Sequence, residues 1–159
     1  MFKIKFKIID MEEQEGFFQI ICNEYSYGEY YSDELENIMD TVSVFDWFER
    51  MIRVVVDLEK YNYIKLSDTE SFNKWIEFVR DKDNRVTVGV IKSEKVIGST
   101  DIEYDDTYKE YAEWSGQRFS FNEIKYEVKE KAQLYCKVLN GVNEKEEKKI
   151  SLLIDKIII

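Results

Sequence analysis

An α+β fold, an antiparallel β-sheet with helices packed on one face, follows from three features of this 159-residue sequence. Phe2, Ile4, Phe6 and Ile8 alternate with Lys3, Lys5 and Lys7, the period of two expected of a half-buried strand with a lysine face to water. From Val44 the apolar residues change to a helical spacing. Two more helical stripes close the chain, each preceded by a capping residue. The order reads ββ(β)α-βα-ββ-αα, and no segment marks a boundary, so residues 1–159 form a single domain.

Taken in order, residues 2–8 form the first strand and the polar stretch 12–16 a turn. Residues 17–25, rich in Phe and Ile, form its hairpin partner, and 27–31 either continue that strand past Gly28 or begin a short third one. Val44, Phe45, Trp47, Phe48, Met51, Ile52, Val55 and Leu58 share one face of a helix running to about Lys60, capped by Asp40 or Ser43. Residues 61–66 read as a strand. Ser67 followed three residues later by Glu70 is a capping-box pattern, which predicts a helix with Phe72, Trp75, Ile76 and Val79 on one side, closed at Asp83 and Asn84. Val86, Val88 and Val90 alternate in the next strand, 92–95 turn, and 96–104 return. Residues 105–113 form an acidic, tyrosine-bearing connection. Phe121, Ile124, Val128, Tyr135 and Leu139 mark a long helix capped by Ser120 and stopped at Gly141. Asn143 caps the last helix, with Ile150, Leu153, Ile154 and Ile157 as its stripe.

Charge is unevenly placed. Residues 8–49 contain no Lys or Arg, and they hold Asp10, Glu12, Glu13, Glu15, Glu24, Glu29, Asp33, Glu34, Glu36, Asp40, Asp46 and Glu49. Elsewhere the basic and acidic side chains nearly balance, so the whole net charge of −10 originates in this segment. It also carries a tyrosine cluster, Tyr25, Tyr27, Tyr30 and Tyr31, too crowded around Gly28 for every ring to be buried. Carboxylates steer a basic partner and rings supply contact area at low entropic cost. Glu24, Tyr25, Tyr27, Glu29, Tyr30, Tyr31, Asp33, Glu34 and Glu36 are therefore candidate partner-binding residues, with Tyr27, Glu29, Tyr30, Asp33 and Glu34 at the centre. Asp101, Glu103, Asp105, Asp106, Glu110 and Glu113 form a second acidic cluster, among Tyr104, Tyr108, Tyr111 and Trp114, and its first four carboxylates are candidate partner-binding residues.

Several functions are disfavoured. An acidic chain does not track a phosphate backbone or an anionic membrane surface. The absence of histidine removes Ser-His and Cys-His nucleophile pairs and histidine metal sites. The spacing of Asp101, Glu103 and Asp105 is superficially that of a calcium loop, but Asp106 stands where the loop needs glycine and Ala112 where it needs glutamate. No metal, cofactor or catalytic residue is assigned. Cys22 and Cys136 form no CxxC and read as buried free thiols in a reducing cytoplasm. No run is long and apolar enough for a membrane span, and the N-terminus lacks the pattern of a secretory signal.

The pattern as a whole resembles the immunity proteins of bacterial polymorphic toxin systems. The likeness lies in Phe2-Lys-Ile-Lys-Phe6, Gly16-Phe-Phe-Gln-Ile20, the tyrosine-rich stretch 24–31, Phe45-Asp-Trp-Phe48 and Trp75-Ile-Glu-Phe78, and it is one of overall style without a defining motif. It implies a non-catalytic, cytoplasmic inhibitor of a co-expressed toxin, often a basic nuclease. A phage-encoded inhibitor of a host defence nuclease, acting by nucleic-acid mimicry, is a variant of the same reading. A small carboxylate-based hydrolase is the alternative from another class, because paired carboxylates suffice for acid–base chemistry.

Overall fold

The computed structural model describes residues 1–106 and 109–159, so Tyr108 of the second cluster lies outside the described residues. The fold is α+β with antiparallel sheets, as expected, but the strands divide into two sheets. The first contains β1 (Phe2–Asp10), β2 (Glu15–Cys22) and β3 (Tyr25–Glu29) in that order, with the short β4 (Val42–Ser43) also pairing with β2. The second contains β5 (Tyr63–Ser67), β6 (Lys74–Arg80), β7 (Arg85–Lys92), β8 (Ile102–Glu103) and β9 (Glu110–Ser120), in the order β8-β5-β6-β7-β9. Helix α1 (Val44–Asp57) touches β2 and β5, and α2 (Phe121–Leu139) touches β1 and β9, so this helix pair bridges both sheets. Helix α3 (Glu144–Ile154) packs on α1 and α2.

The first hairpin has the expected register. Phe2 and Ile4 are buried, Phe6 and Ile8 pack against the same core, and Lys3 and Lys5 are exposed. The second strand ends earlier than expected, at Cys22, because Asn23 adopts a positive φ of 59° and turns the chain into β3. Gly28 sits in β3 at φ +86°, where a Cβ would stand 2.3 Å from the Phe18 carbonyl oxygen. Only glycine fits that approach. Ser43 caps α1, its hydroxyl accepting from Asp46 N–H at 3.3 Å, and Ser120 and Asn143 cap α2 and α3 as the sequence indicates.

Three expectations fail. No helix follows Ser67: residues 74–80 are β6, the strand between β5 and β7. Ser67 N–H donates to the Asp101 carbonyl at 2.8 Å, and the Ser71 hydroxyl accepts from Lys74 N–H at 3.0 Å. The polar residues that imitate a helix cap thus build a tight loop. Asp83 and Asn84 belong to the β6–β7 hairpin, with Asn84 at φ 61°. Residues 96–104 do not return along β7. Only Ile102 and Glu103 are strand, and they pair with β5. The place beside β7 is taken by β9, which begins inside the segment expected to be a connection.

β9 is irregular where it matters. Between the pairs Val88↔Gln117 and Val90↔Ala112, β7 advances two residues while β9 advances five. The extra residues include Glu113, at φ 52°, and Trp114. A bulge of this kind redirects side chains. Trp114 crosses to the first sheet, its indole N–H donating to the Ser26 carbonyl at 2.9 Å while its ring stacks on Tyr25 at 6.0 Å.

Candidate functional site

Where the two sheets approach each other they leave a cleft of about 540 Å³. One wall is Phe17 and Phe18 of β2 with Tyr27, Gly28 and Glu29 of β3. Trp47 of α1 and the segment Asp40-Thr-Val42 form another, and the 68–74 loop and Glu113 complete it. Five carboxylates line the cleft, Glu29, Asp40, Asp68, Glu70 and Glu113, against a single cation, Lys74.

These carboxylates differ in what holds them. Asp68 accepts from the Tyr27 hydroxyl and, through its other oxygen, from Glu70 N–H at 3.0 Å. Glu113 is paired with Lys74. Among the described residues no hydrogen bond or ion pair reaches the side chains of Glu29, Asp40 or Glu70. Glu70 feels the crowding: burial against the cleft wall, then the neighbouring charges of Asp68, Asp40 and Glu15, raise its pKa, and Arg50 only partly opposes them. Desolvation followed by the bond to Asp68 also drives the Tyr27 hydroxyl far above its ordinary range, which keeps it a donor.

The loop bearing Asp68 and Glu70 is tied down by two cations from other elements. Lys95 reaches across from the segment after β7 and donates to the carbonyls of Asp68 and Ser71, the latter at 2.6 Å. Arg50 is buried beneath it, its guanidinium bonded to Thr69 at 3.2 Å and lying 4.9 Å from the Trp47 ring centre. Phe72, at the mouth of the cleft, is 87% exposed.

The candidate residues from the sequence are distributed differently from expectation. Tyr27 is only 8% exposed and belongs to the core, not to an outer contact surface. Its ring sits between the sheets because Asp68 offers a partner that the local sequence does not reveal. Tyr30 and Tyr31 fold back edge-on against Phe17, and Lys5 lies 4.2 Å from the Tyr30 ring centre. Asp33 and Glu36 are both ion-paired with Lys7, a bond that holds the Asp33 carboxyl below its usual range. The lysine face of β1 thus neutralises part of the acidic segment from within. Glu24, Glu29 and Glu34 stay exposed without a partner among the described residues, and Tyr25 is exposed on Trp114.

The second cluster divides. Asp101 lies beside the clamped loop through its bond to Ser67, and Glu103 accepts from Thr100 N–H at 2.9 Å. Asp105 is exposed, whereas Asp106 pairs at 2.7 Å with Lys109. Lys109 in turn pairs with the buried Glu77, on the face of the second sheet away from the helices.

Sequence reasoning missed Asp40, Asp68, Glu70 and Lys74 as cleft residues, and it placed Glu113 in the second acidic cluster without relating it to a cleft. The first four were legible only as turn or helix residues, and Glu113 reaches the cleft from an unforeseen strand. Among the described residues no group of three or more His, Cys, Asp or Glu side chains is arranged to hold a metal. No helix among them is long and apolar enough to cross a membrane. Comparisons with protein-family models, curated proteins and solved structures yield no match to this chain.

Proposed function

We propose that this chain is a non-catalytic binding protein that inhibits a basic partner, acting as an immunity protein that neutralises a cognate toxin of nuclease type in the cytoplasm. The observation that carries this reading is the cleft lining: five carboxylates, three of them without a partner among the described residues, beside aromatic walls, with its one lysine already engaged by Glu113. Unpaired carboxylates attract a cation, and a preformed wall lowers the cost of ordering on binding. The exposed Glu24 and Glu34 extend the same sign of charge outside the cleft. The phage variant, inhibition of a host defence nuclease by nucleic-acid mimicry, uses the same surface and differs in the neighbouring genes.

Co-expression with the product of the adjacent gene tests the reading. The expected result is a stoichiometric complex that weakens as salt is raised, with loss of the partner's nuclease activity. Failure to form a complex at low salt overturns it.

A carboxylate hydrolase is favoured by one feature, the raised pKa of Glu70 next to Asp68 and Asp40. Against it, both oxygens of Asp68 already accept hydrogen bonds, which leaves that side chain poorly placed as a nucleophile or base. Turnover of aryl glycosides or esters that vanishes in Glu70→Gln would establish this second reading.

A further inference from the structure

We infer that the cleft receives one arginine side chain of the partner, its guanidinium between Glu70 and Asp40 and its stem along Phe72. This rests on the basic-partner reading above and names the contact within it.

The chemistry of the walls selects the occupant. Around the cleft, Glu29, Asp40 and Glu70 carry acceptors without donors, and together with Asp68 and Glu113 they exceed the one lysine present. A planar, five-donor cation answers several separated carboxylates at once, which a compact ammonium does less well. The most exposed ring available to its stem is Phe72, since Phe17, Phe18 and Tyr27 are buried. Trp47 is already stacked by Phe18 at 5.4 Å and has the Arg50 guanidinium over its ring, so it serves as a floor and not as a contact face.

At the mouth, Phe72 presents its ring to solvent, and the neighbouring segment after β7 carries two more exposed apolar side chains. Phe72 stands on the 68–73 loop, and Val96 and Ile97, both well exposed, directly follow Lys95. Lys95 binds the carbonyls of Asp68 and Ser71, so the loop bearing Phe72 is tied to the segment after β7. An aromatic anchor beside a charged recess, on a loop tied down by Lys95, has the anatomy of a binding hot spot.

The probe is arginine amide, titrated into the isotope-labelled chain, with citrulline amide and lysine amide as controls. The expected result is saturable movement of the Gly28, Glu70 and Phe72 amide resonances with arginine amide and none with citrulline amide. Asp40→Asn with Glu70→Gln, at two exposed positions, should melt no lower than wild type and weaken binding at least tenfold. No localised response, or an equal response to the neutral analogue, overturns the assignment; a stronger response to lysine amide overturns the choice of arginine. This arm needs no partner, so it succeeds or fails independently of the broader reading. With a cognate partner in hand, unaltered affinity of the double variant and of Phe72→Ser sinks the cleft contact and leaves the acidic-face reading intact.

Discussion

The backbone N–H of Ile4 donates to Oε2 of Glu127 at 2.7 Å, across 123 positions of sequence. Phe2 N–H does the same to Glu123 at 2.8 Å. Strand β1 lies at the edge of its sheet, and an uncovered edge invites pairing with another chain. Helix α2 closes that edge with two carboxylates, and Glu127, 5% exposed, also holds Lys131 at 2.7 Å.

Replacing Glu127 by Ala should therefore destabilise the fold by about 1–3 kcal/mol, since a buried N–H loses its acceptor. Urea denaturation should show a lower midpoint with an unchanged slope. A midpoint equal to wild type would show that water replaces the carboxylate at no cost.

A larger loss is expected at Glu77. Its carboxylate, 3% exposed, accepts from the hydroxyls of Tyr63 and Tyr111, each at 2.8 Å, and pairs with Lys109. Glu77→Ala takes the acceptor from two tyrosine hydroxyls and leaves Lys109 with Asp106 among the described residues, with an expected cost of about 3 kcal/mol. Tyr63→Phe, which removes one donor and leaves the carboxylate its other partners, should cost far less. Equal effects of the two substitutions would contradict the network.

Alkaline pH should destabilise the protein above about pH 10, where tyrosine release in the unfolded chain adds to lysine titration. Burial, reinforced by the bond to Asp57, pushes the Tyr104 hydroxyl up to about 12, and burial first also raises Tyr27, Tyr63 and Tyr135. A raised folded pKa means that the native state keeps a proton which the unfolded chain releases near pH 10. Stability is then complete below about pH 10 and falls as pH rises through the folded values. Tyrosinate absorbance followed against denaturation midpoint should show ionisation lagging below the transition and arriving with unfolding. Full tyrosine ionisation in a still folded chain would disprove the assignment.

Partner binding should have the opposite pH sense. Glu70 is raised by burial and by Asp68, Asp40 and Glu15 facing it, so its carboxyl gains a proton sooner on acidification than an ordinary glutamate. Affinity for a cation is fully present above the raised pKa and lost as pH falls through it. In Glu70→Gln the affinity at neutral pH drops and this part of the pH dependence disappears. An unchanged pH profile in that variant would remove Glu70 from the interface.

Charges outside the cleft should act on encounter more than on residence. Reversing Glu24 and Glu34, both exposed and unpaired, should slow association several-fold and flatten its salt dependence, with little effect on dissociation. The Glu36→Lys change should instead disturb the fold locally, because Glu36 is tied to Lys7. Stopped-flow association at several salt concentrations, alongside thermal melts, separates the two.

The alternation at Phe2–Asp10, the helical stripe behind Ser43 and the caps at Ser120 and Asn143 were decided locally, by pleat, helical period and orphan N–H groups, and the sequence alone determined them. The concentration of negative charge in residues 8–49 was equally plain. Tertiary structure decided the rest. β6 is buried on both faces, with Trp75 and Glu77 on one side and Ile76 and Phe78 on the other, so its apolar residues show no clean alternation and the Ser67–Glu70 pattern imitates a helix start. β9 hides behind its bulge, and Glu113 and Trp114 acquire their roles only because that bulge faces β3. The acidic segment could not disclose that Lys5 and Lys7 would engage Tyr30, Asp33 and Glu36, or that Tyr27 would turn inward to Asp68. Composition fixes how much charge a chain has; which carboxylates remain unpaired depends on partners brought together from distant positions by packing.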